Sequence, residues 1–171
     1  MTDFGGPIRQ FGFIVEDLDA AIAQWVGLGV APFMVIRDMK MERCSYRGDL
    51  SEPVISLALA NSGDMQIELI QQMDATPSIY REFLDRGERG YHQVAYWPED
   101  LAAVRDAAIA DGWTEVWCGD GGGVTPFSYL ERADSPATIV ELMELNDATR
   151  AMGESIRATC EAWRPGDPTT Y

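Results

Sequence analysis

The chain nearly repeats itself, and that repetition constrains its fold more than any other property. Residues 8–15 (IRQFGFIV) are apolar and β-prone. Asp17-Leu18-Asp19 then opens an amphipathic stretch in which Leu18, Ala21, Ile22, Trp25 and Val26 recur at three- and four-residue spacing, until Gly27 and Gly29 stop it. Residues 91–97 (YHQVAYW) again read as a strand. Pro98-Glu99-Asp100 opens a second helix, because proline at a first helical position forfeits no needed hydrogen bond. Leu101, Val104, Ala108 and Ile109 carry the helical spacing up to Gly112.

Both halves also end alike. The first continues with β-like runs at 30–37, 53–60 and 65–71, the second with runs at 113–118, 126–132 and 138–145. Ile67-Glu68-Leu69-Ile70 and Val140-Glu141-Leu142-Met143 are close copies at equivalent places. The pattern predicts an α+β fold in which a β-α-β-β-β unit occurs twice. The first module covers 1–76, a linker at 77–90 holds a short helix (77–86), and the second module covers 91–146. Residues 147–163 carry Ala148, Met152, Ile156, Thr159 and Trp163, which predicts a C-terminal helix, and the proline-rich tail to 171 is too polar to fold alone.

Charge and cysteine usage exclude several functions. With 28 acids against 13 bases the net charge is −15, which repels phosphate backbones and speaks against a nucleic-acid partner. No apolar run approaches the roughly 18–20 residues of a membrane span, so no membrane partner is expected. The opening MTDFGGPIRQ has neither a basic start nor a leucine-rich core, which points to a cytoplasmic protein. Cys44, Cys118 and Cys160 stand far apart and form neither a C-x-x-C pair nor a disulfide framework. The single histidine, His92, rules out a histidine-rich metal cage and any mechanism that needs two imidazoles.

Strand alternation then selects candidate chemistry. Glu141 lies between Ile139 and Met143 on an apolar, inward face, and Glu68 shares its face with Gln66 and Ile70. Gln10 lies between Ile8 and Gly12, and His92 between Gly90 and Val94. If the repeats pair by a pseudo-twofold axis, Gln10, Glu68, His92 and Glu141 converge on one centre. A buried carboxylate needs a partner. Two carboxylates, a carboxamide oxygen and an imidazole suit a divalent metal ion (Zn, Ni, Mn, Co or Fe).

The repeat, the opening FGFIVEDLDAAIAQW and the copies IELIQ and VELME resemble the vicinal oxygen chelate superfamily, which includes glyoxalase I, methylmalonyl-CoA epimerase, extradiol dioxygenases and bleomycin-resistance proteins. The resemblance covers about residues 8–146 and implies curved sheets around a cavity. Carried over by position, the ligands it implies are Gln10, Glu68, His92 and Glu141, a set closer to glyoxalase I than to the epimerases, which usually have His first and Gln second. Extradiol dioxygenases use two histidines, which this chain does not have. The resemblance implies a metal-dependent isomerase or lyase that moves a proton at a carbon next to a carbonyl, with Glu68 and Glu141 flanking that carbon and Glu141 as the base. The alternative is a metal-free protein that sequesters a small molecule, as bleomycin-resistance proteins do.

Four of the thirteen bases, Arg37, Lys40, Arg43 and Arg47, cluster within eleven residues, either as a site for an anionic substrate group (Arg43 and Arg47 foremost) or as a solvated hairpin. The run Gly119-Asp-Gly-Gly-Gly123 reads as a turn or a lid over the cavity. Trp97, Trp113, Trp117, Phe127 and Met143 fill core and pocket. The apolar stripe of the C-terminal helix fits a sheet edge or the partner chain of a homodimer.

Overall fold

The computed structural model describes residues 2–120, 125–135 and 139–171. Its elements run β1 (Ile8–Ile14), α1 (Leu18–Gly27), β2 (Met34–Lys40), β3 (Cys44–Tyr46), β4 (Asp49–Ser51), β5 (Val54–Ser62), β6 (Met65–Gln72) and α2 (Ile79–Asp85). The second half follows with β7 (Gly90–Tyr96), α3 (Leu101–Ala110), β8 (Thr114–Gly119), β9 (Phe127–Glu131), β10 (Ile139–Met143) and α4 (Asp147–Ala162). The predicted β-α-β-β-β unit is present twice, with the hairpin β3–β4 inserted in its first copy.

Helix starts show how closely the copies correspond. Asp17 caps α1 by accepting from the Ala20 amide at 2.9 Å, and Asp100 caps α3 by accepting from the Ala103 amide at 3.0 Å. Aspartate is favoured there because its side chain satisfies an amide that the first turn leaves open. Pro98 therefore lies ahead of the cap, not at the first helical position as the sequence reading placed it. Each helix buries one stripe: Leu18, Ala21 and Ile22 from α1, Leu101 and Ala108 from α3. Burying side chains the size of Leu18 or Ile22 stabilises by about 1.5–3 kcal/mol each.

The strands form one sheet in the order β2-β5-β6-β1-β7-β10-β9-β8-β3-β4. Its first eight members are symmetric about the antiparallel β1–β7 pair, with β6 parallel to β1 on one side and β10 parallel to β7 on the other. The sheet also curls. Lys40 ends one edge strand and Cys44 begins β3 near the opposite edge. Four residue steps reach roughly 14 Å at most, so the two margins approach each other and the sheet wraps around an interior.

Alternation sorts side chains between the two faces. On β6, Ile67 and Leu69 pack with α1, while Gln66, Glu68 and Ile70 face the interior. On β10, Val140 and Leu142 pack with α3, while Glu141 and Met143 face the interior. Helix α4 closes that interior from β5: Ile156 is buried in the inner core cluster and Met152 packs against it. Of the stripe predicted for this helix, Ile156 is thus buried within the chain, Met152, Thr159 and Trp163 are half-buried and Ala148 is exposed. The tail is held too, with Phe33 and Val35 donating to Thr169 and Tyr171 at 2.9 and 3.0 Å. No helix among the described residues is long and apolar enough to cross a membrane.

Candidate active site

The curled sheet encloses a cavity of about 320 Å³. It runs from the exposed Lys40 and Glu42 to a polar floor made of the buried Gln10, Gln66 and Glu141 and the half-buried Glu68. Between them the walls are mainly aliphatic, aromatic and methionine side chains.

Two bulges at the β1–β7 pair aim the floor. In β1 the extra residue is Arg9, directly before Gln10; in β7 it is His92, directly before Gln93. A bulge breaks two-residue alternation and re-aims the side chains beside it. Gln93 then lies across Gly12, where a Cβ atom would stand 2.4 Å from its Cδ. Only glycine leaves that space.

Gln93, fully buried and outside the cavity lining, ties the floor together from behind. Its Nε2 donates toward Glu68 Oε2 (3.2 Å), Glu141 Oε2 (3.1 Å) and the Tyr129 hydroxyl (2.8 Å), so the two carboxylates flank one amide nitrogen. Its Oε1 meets His92 Nδ1, which must carry the ring hydrogen, and His92 Nε2 is buried without a partner. The imidazole is fully buried, with its ring centroid 4.9 Å from that of Phe83 on α2, and burial lowers its pKa to about 4. It is neutral at pH 7.

The carboxylates shift the other way. Burial and the charge of Glu141 push Glu68 well above the ordinary range, while burial raises Glu141 to about 7 against the pull of hydrogen bonds from Gln93 and Tyr129. Both carboxyls are thus shifted upward, so near neutral pH the coupled pair keeps proton affinity that free glutamates lack. Neighbouring carboxyls that exchange protons near neutral pH suit acid–base catalysis.

Three of the four residues expected at one centre, Gln10, Glu68 and Glu141, do meet at the cavity. His92 does not face it. Its ring packs under α2, one residue before Gln93, which bonds both carboxylates. Among the described residues no group of three or more His, Cys, Asp or Glu side chains is arranged to hold a metal. Gln10 Oε1 is, however, a buried oxygen with no hydrogen-bond partner.

Gln93 was missed by strand alternation, yet a signal for it was present. The tripeptide Glu-Asp-Leu occurs at 16–18 and again at 99–101, and counting back from each places Gln10 opposite Gln93 and Arg9 opposite His92.

The basic cluster is paired. Arg37 bonds Asp19, Lys40 bonds Glu52 at 2.8 Å, and Arg43 bonds Asp120 at 2.7 Å. Arg47 forks onto Glu131 (2.8 Å) and Glu82 (3.1 Å). Neither Arg43 nor Arg47 reaches the cavity wall. Of the apolar candidates, Phe127 and Met143 line the cavity, whereas Trp113 and Trp117 belong to the core and Trp97 packs beside Gly153 of α4. The expected glycine turn at 119–123 falls, from residue 121 on, outside the described residues.

Gly12→Ala tests the arrangement. The added methyl displaces Gln93 and removes a donor from both carboxylates, so the titration midpoint of Glu141 rises above about 7. Carboxyl-carbon NMR reads it directly, and an unchanged midpoint would mean that Gln93 does not hold the pair.

A family model described as the Glyoxalase/Bleomycin resistance protein/Dioxygenase superfamily matches residues 9–129. Among solved structures, methylmalonyl-CoA epimerase from Mycobacterium tuberculosis superposes with a TM-score of 0.59 at 21% identity, over 88% of this chain and 95% of that one. A hypothetical protein from Bacillus halodurans C-125 gives 0.58 at 16% identity, over 82% and 95%. A Streptomyces coelicolor methylmalonyl-CoA epimerase variant, in complex with 2-nitronate-propionyl-CoA, gives 0.55 at 16%, over 83% and 96%. At these identities the likeness is one of fold. No curated protein matches the chain.

Proposed function

The chain belongs to the glyoxalase/bleomycin resistance protein/dioxygenase superfamily, and on that premise we propose that its cavity is the active site of an isomerase or lyase of glyoxalase or epimerase type, moving a proton at a carbon next to a carbonyl. The observation that carries this reading is the pair of carboxyls, Glu141 buried and Glu68 half-buried, on either side of the Gln93 amide at the floor of a mainly apolar cavity. That epimerases share the fold supports it.

In this reading a small-molecule substrate enters past Lys40 and sets its acidic carbon between the two carboxyls. Glu141, ionised near neutral pH, removes the proton, and Glu68, still protonated, returns one from the other side, which inverts or isomerises the centre. The apolar walls exclude water, so the exchanged proton passes between substrate and carboxyl. Gln93 holds both acids, and His92 holds Gln93 by donating to its Oε1. His92 is a positioning residue here.

Members of the superfamily commonly bind divalent metals. The floor fits one as a set of oxygen donors: Gln10 Oε1 is unpartnered, and no cationic side chain stands beside the two carboxylates among the described residues that line the cavity. Gln10, Glu68 and Glu141 would hold it, and an all-oxygen set favours Mg²⁺ or Mn²⁺ over Zn²⁺. When bound, the ion would supply Lewis-acid stabilisation of an enolate oxygen.

Incubation with carbonyl compounds in D₂O tests the reading. Proton transfer places deuterium at the carbon next to the carbonyl, as NMR detects. A compound that binds in the cavity and never exchanges would leave the sequestering role, which the apolar walls also suit. A homodimer belongs to the same proposal, with analytical ultracentrifugation as its measure.

A further inference from the structure

The cavity is built to reject charge, and from this we infer that its substrate is an uncharged, largely hydrophobic carbonyl compound and not an anionic thioester or glutathione conjugate; the inference rests on the proton-transfer reading above. The floor carries two carboxyls with no cationic side chain beside them among the described residues that line the cavity, so in the absence of a bound cation a carboxylate or phosphate placed there would meet like charge. Above the floor most of the wall is apolar, Met39, Leu57, Ile70, Phe127, Met143 and Met152 among it, and the hydroxyls of Tyr80 and Tyr129 bond each other. The methionines, with flexible thioether side chains, adapt to bulky aliphatic shapes.

The mouth offers an anion no better reception. Lys40, the cation that reaches the cavity, is held by Glu52, and Arg37 and Arg43 on the same stretch are held by Asp19 and Asp120. An anionic substrate that paired with Lys40 would have to displace Glu52 while approaching a protein of net charge −15. A neutral ketone breaks none of these pairs. It buries its hydrocarbon body against the walls and presents a carbonyl and its acidic carbon to Glu68 and Glu141. A cavity of about 320 Å³ stands at the small end of ligand sites, which suits a mono- or bicyclic skeleton.

The full-length protein is titrated separately with decalone (an uncharged bicyclic ketone), propionyl-CoA and octylammonium. Binding is followed by thermal shift and by intrinsic tryptophan fluorescence, and deuterium uptake from D₂O by NMR. The expected result is decalone affinity at least tenfold above the other two, with deuterium entering beside its carbonyl. Decalone that binds tightest without exchange keeps the substrate class and overturns the proton-transfer reading. Exchange on propionyl-CoA, with tighter binding of that thioester, overturns the inference while the proton-transfer reading stands. Tightest binding of octylammonium, or no binding of decalone, also overturns it. Met152→Glu, which brings a charge to the half-buried wall on α4, should weaken decalone at least tenfold. If that variant is unfolded by circular dichroism, the wild-type ligand panel decides alone.

Discussion

Glu141→Gln lowers deuterium exchange into substrate by about 10²–10⁴-fold, the range that a positioned general base contributes. Glutamine keeps the shape and can still accept from the Gln93 amide, so the loss belongs to proton transfer and not to collapse of the floor. Glu68→Gln gives a different result, because in the proposed mechanism Glu68 is the member that delivers the proton. That variant still washes substrate hydrogen into solvent through Glu141, yet it loses inversion or isomerisation, since no proton is delivered from the opposite side. The comparison of washout with inversion therefore assigns the roles separately. Wild-type exchange in E141Q would remove Glu141 from the chemistry, and equal defects in both measurements for both variants would mean that the pair does not divide into acid and base. The wild-type pH profile should rise through about 7 as Glu141 ionises and fall again at higher pH as Glu68 gives up its proton.

Stability carries the second large effect. A carboxyl whose pKa is higher folded than unfolded binds its proton more tightly in the folded state. Its contribution is fully present below the unfolded value near 4.5 and is lost as pH rises through about 7. For Glu141 that loss is about 3 kcal/mol, from roughly 1.4 kcal/mol for each pKa unit. His92 acts in the opposite sense. Its folded value near 4 lies below the ordinary 6.5, so its contribution is present above 6.5 and is lost as pH falls toward 4. The two slopes oppose each other between about 4.5 and 6.5, and the carboxyl loss stands alone above that range. E141Q should consequently be more stable than wild type at pH 8, by about 2–3 kcal/mol, and no more stable at pH 4, as urea unfolding measures. Equal stability at pH 8 would show that the carboxyl is hydrated in the folded protein. Mn²⁺ competes with protons for the same oxygens, so it should raise Tm at pH 8 in wild type and lose most of that effect in E141Q. A Tm unmoved by Mn²⁺ would leave the site metal-free.

Much of this architecture is legible in local patterns. Helix starts follow from aspartates that cap them, and the apolar residues behind each cap set which stripe is buried. Glu68 and Glu141 are legible because β6 and β10 are unbroken, so alternation counted along either strand puts both carboxyls on the interior face. The hairpin β3–β4, which crosses to pair with β8 in the other half, has no such mark. Nothing within those few residues states which edge they will join.

The central pair of strands shows where local reading ends. By itself the sequence determined that two copies of one unit exist, that Gln10, Glu68 and Glu141 stand at matching stations, and that few cations oppose a large acidic excess. Each of these depends on residues near one another in the chain. Only the tertiary structure decided that β1 and β7 each bulge by one residue, that the second bulge turns His92 under Phe83 while its counterpart Arg9 stays exposed, and that Gln93 bonds the two floor carboxylates in its place. It also decided that each base of the 37–47 cluster meets a carboxylate, some from distant strands and helices. The reason is physical. A strand's two faces follow from its own backbone, whereas a bulge, a covering helix and a salt bridge are settled by which distant segment packs against it.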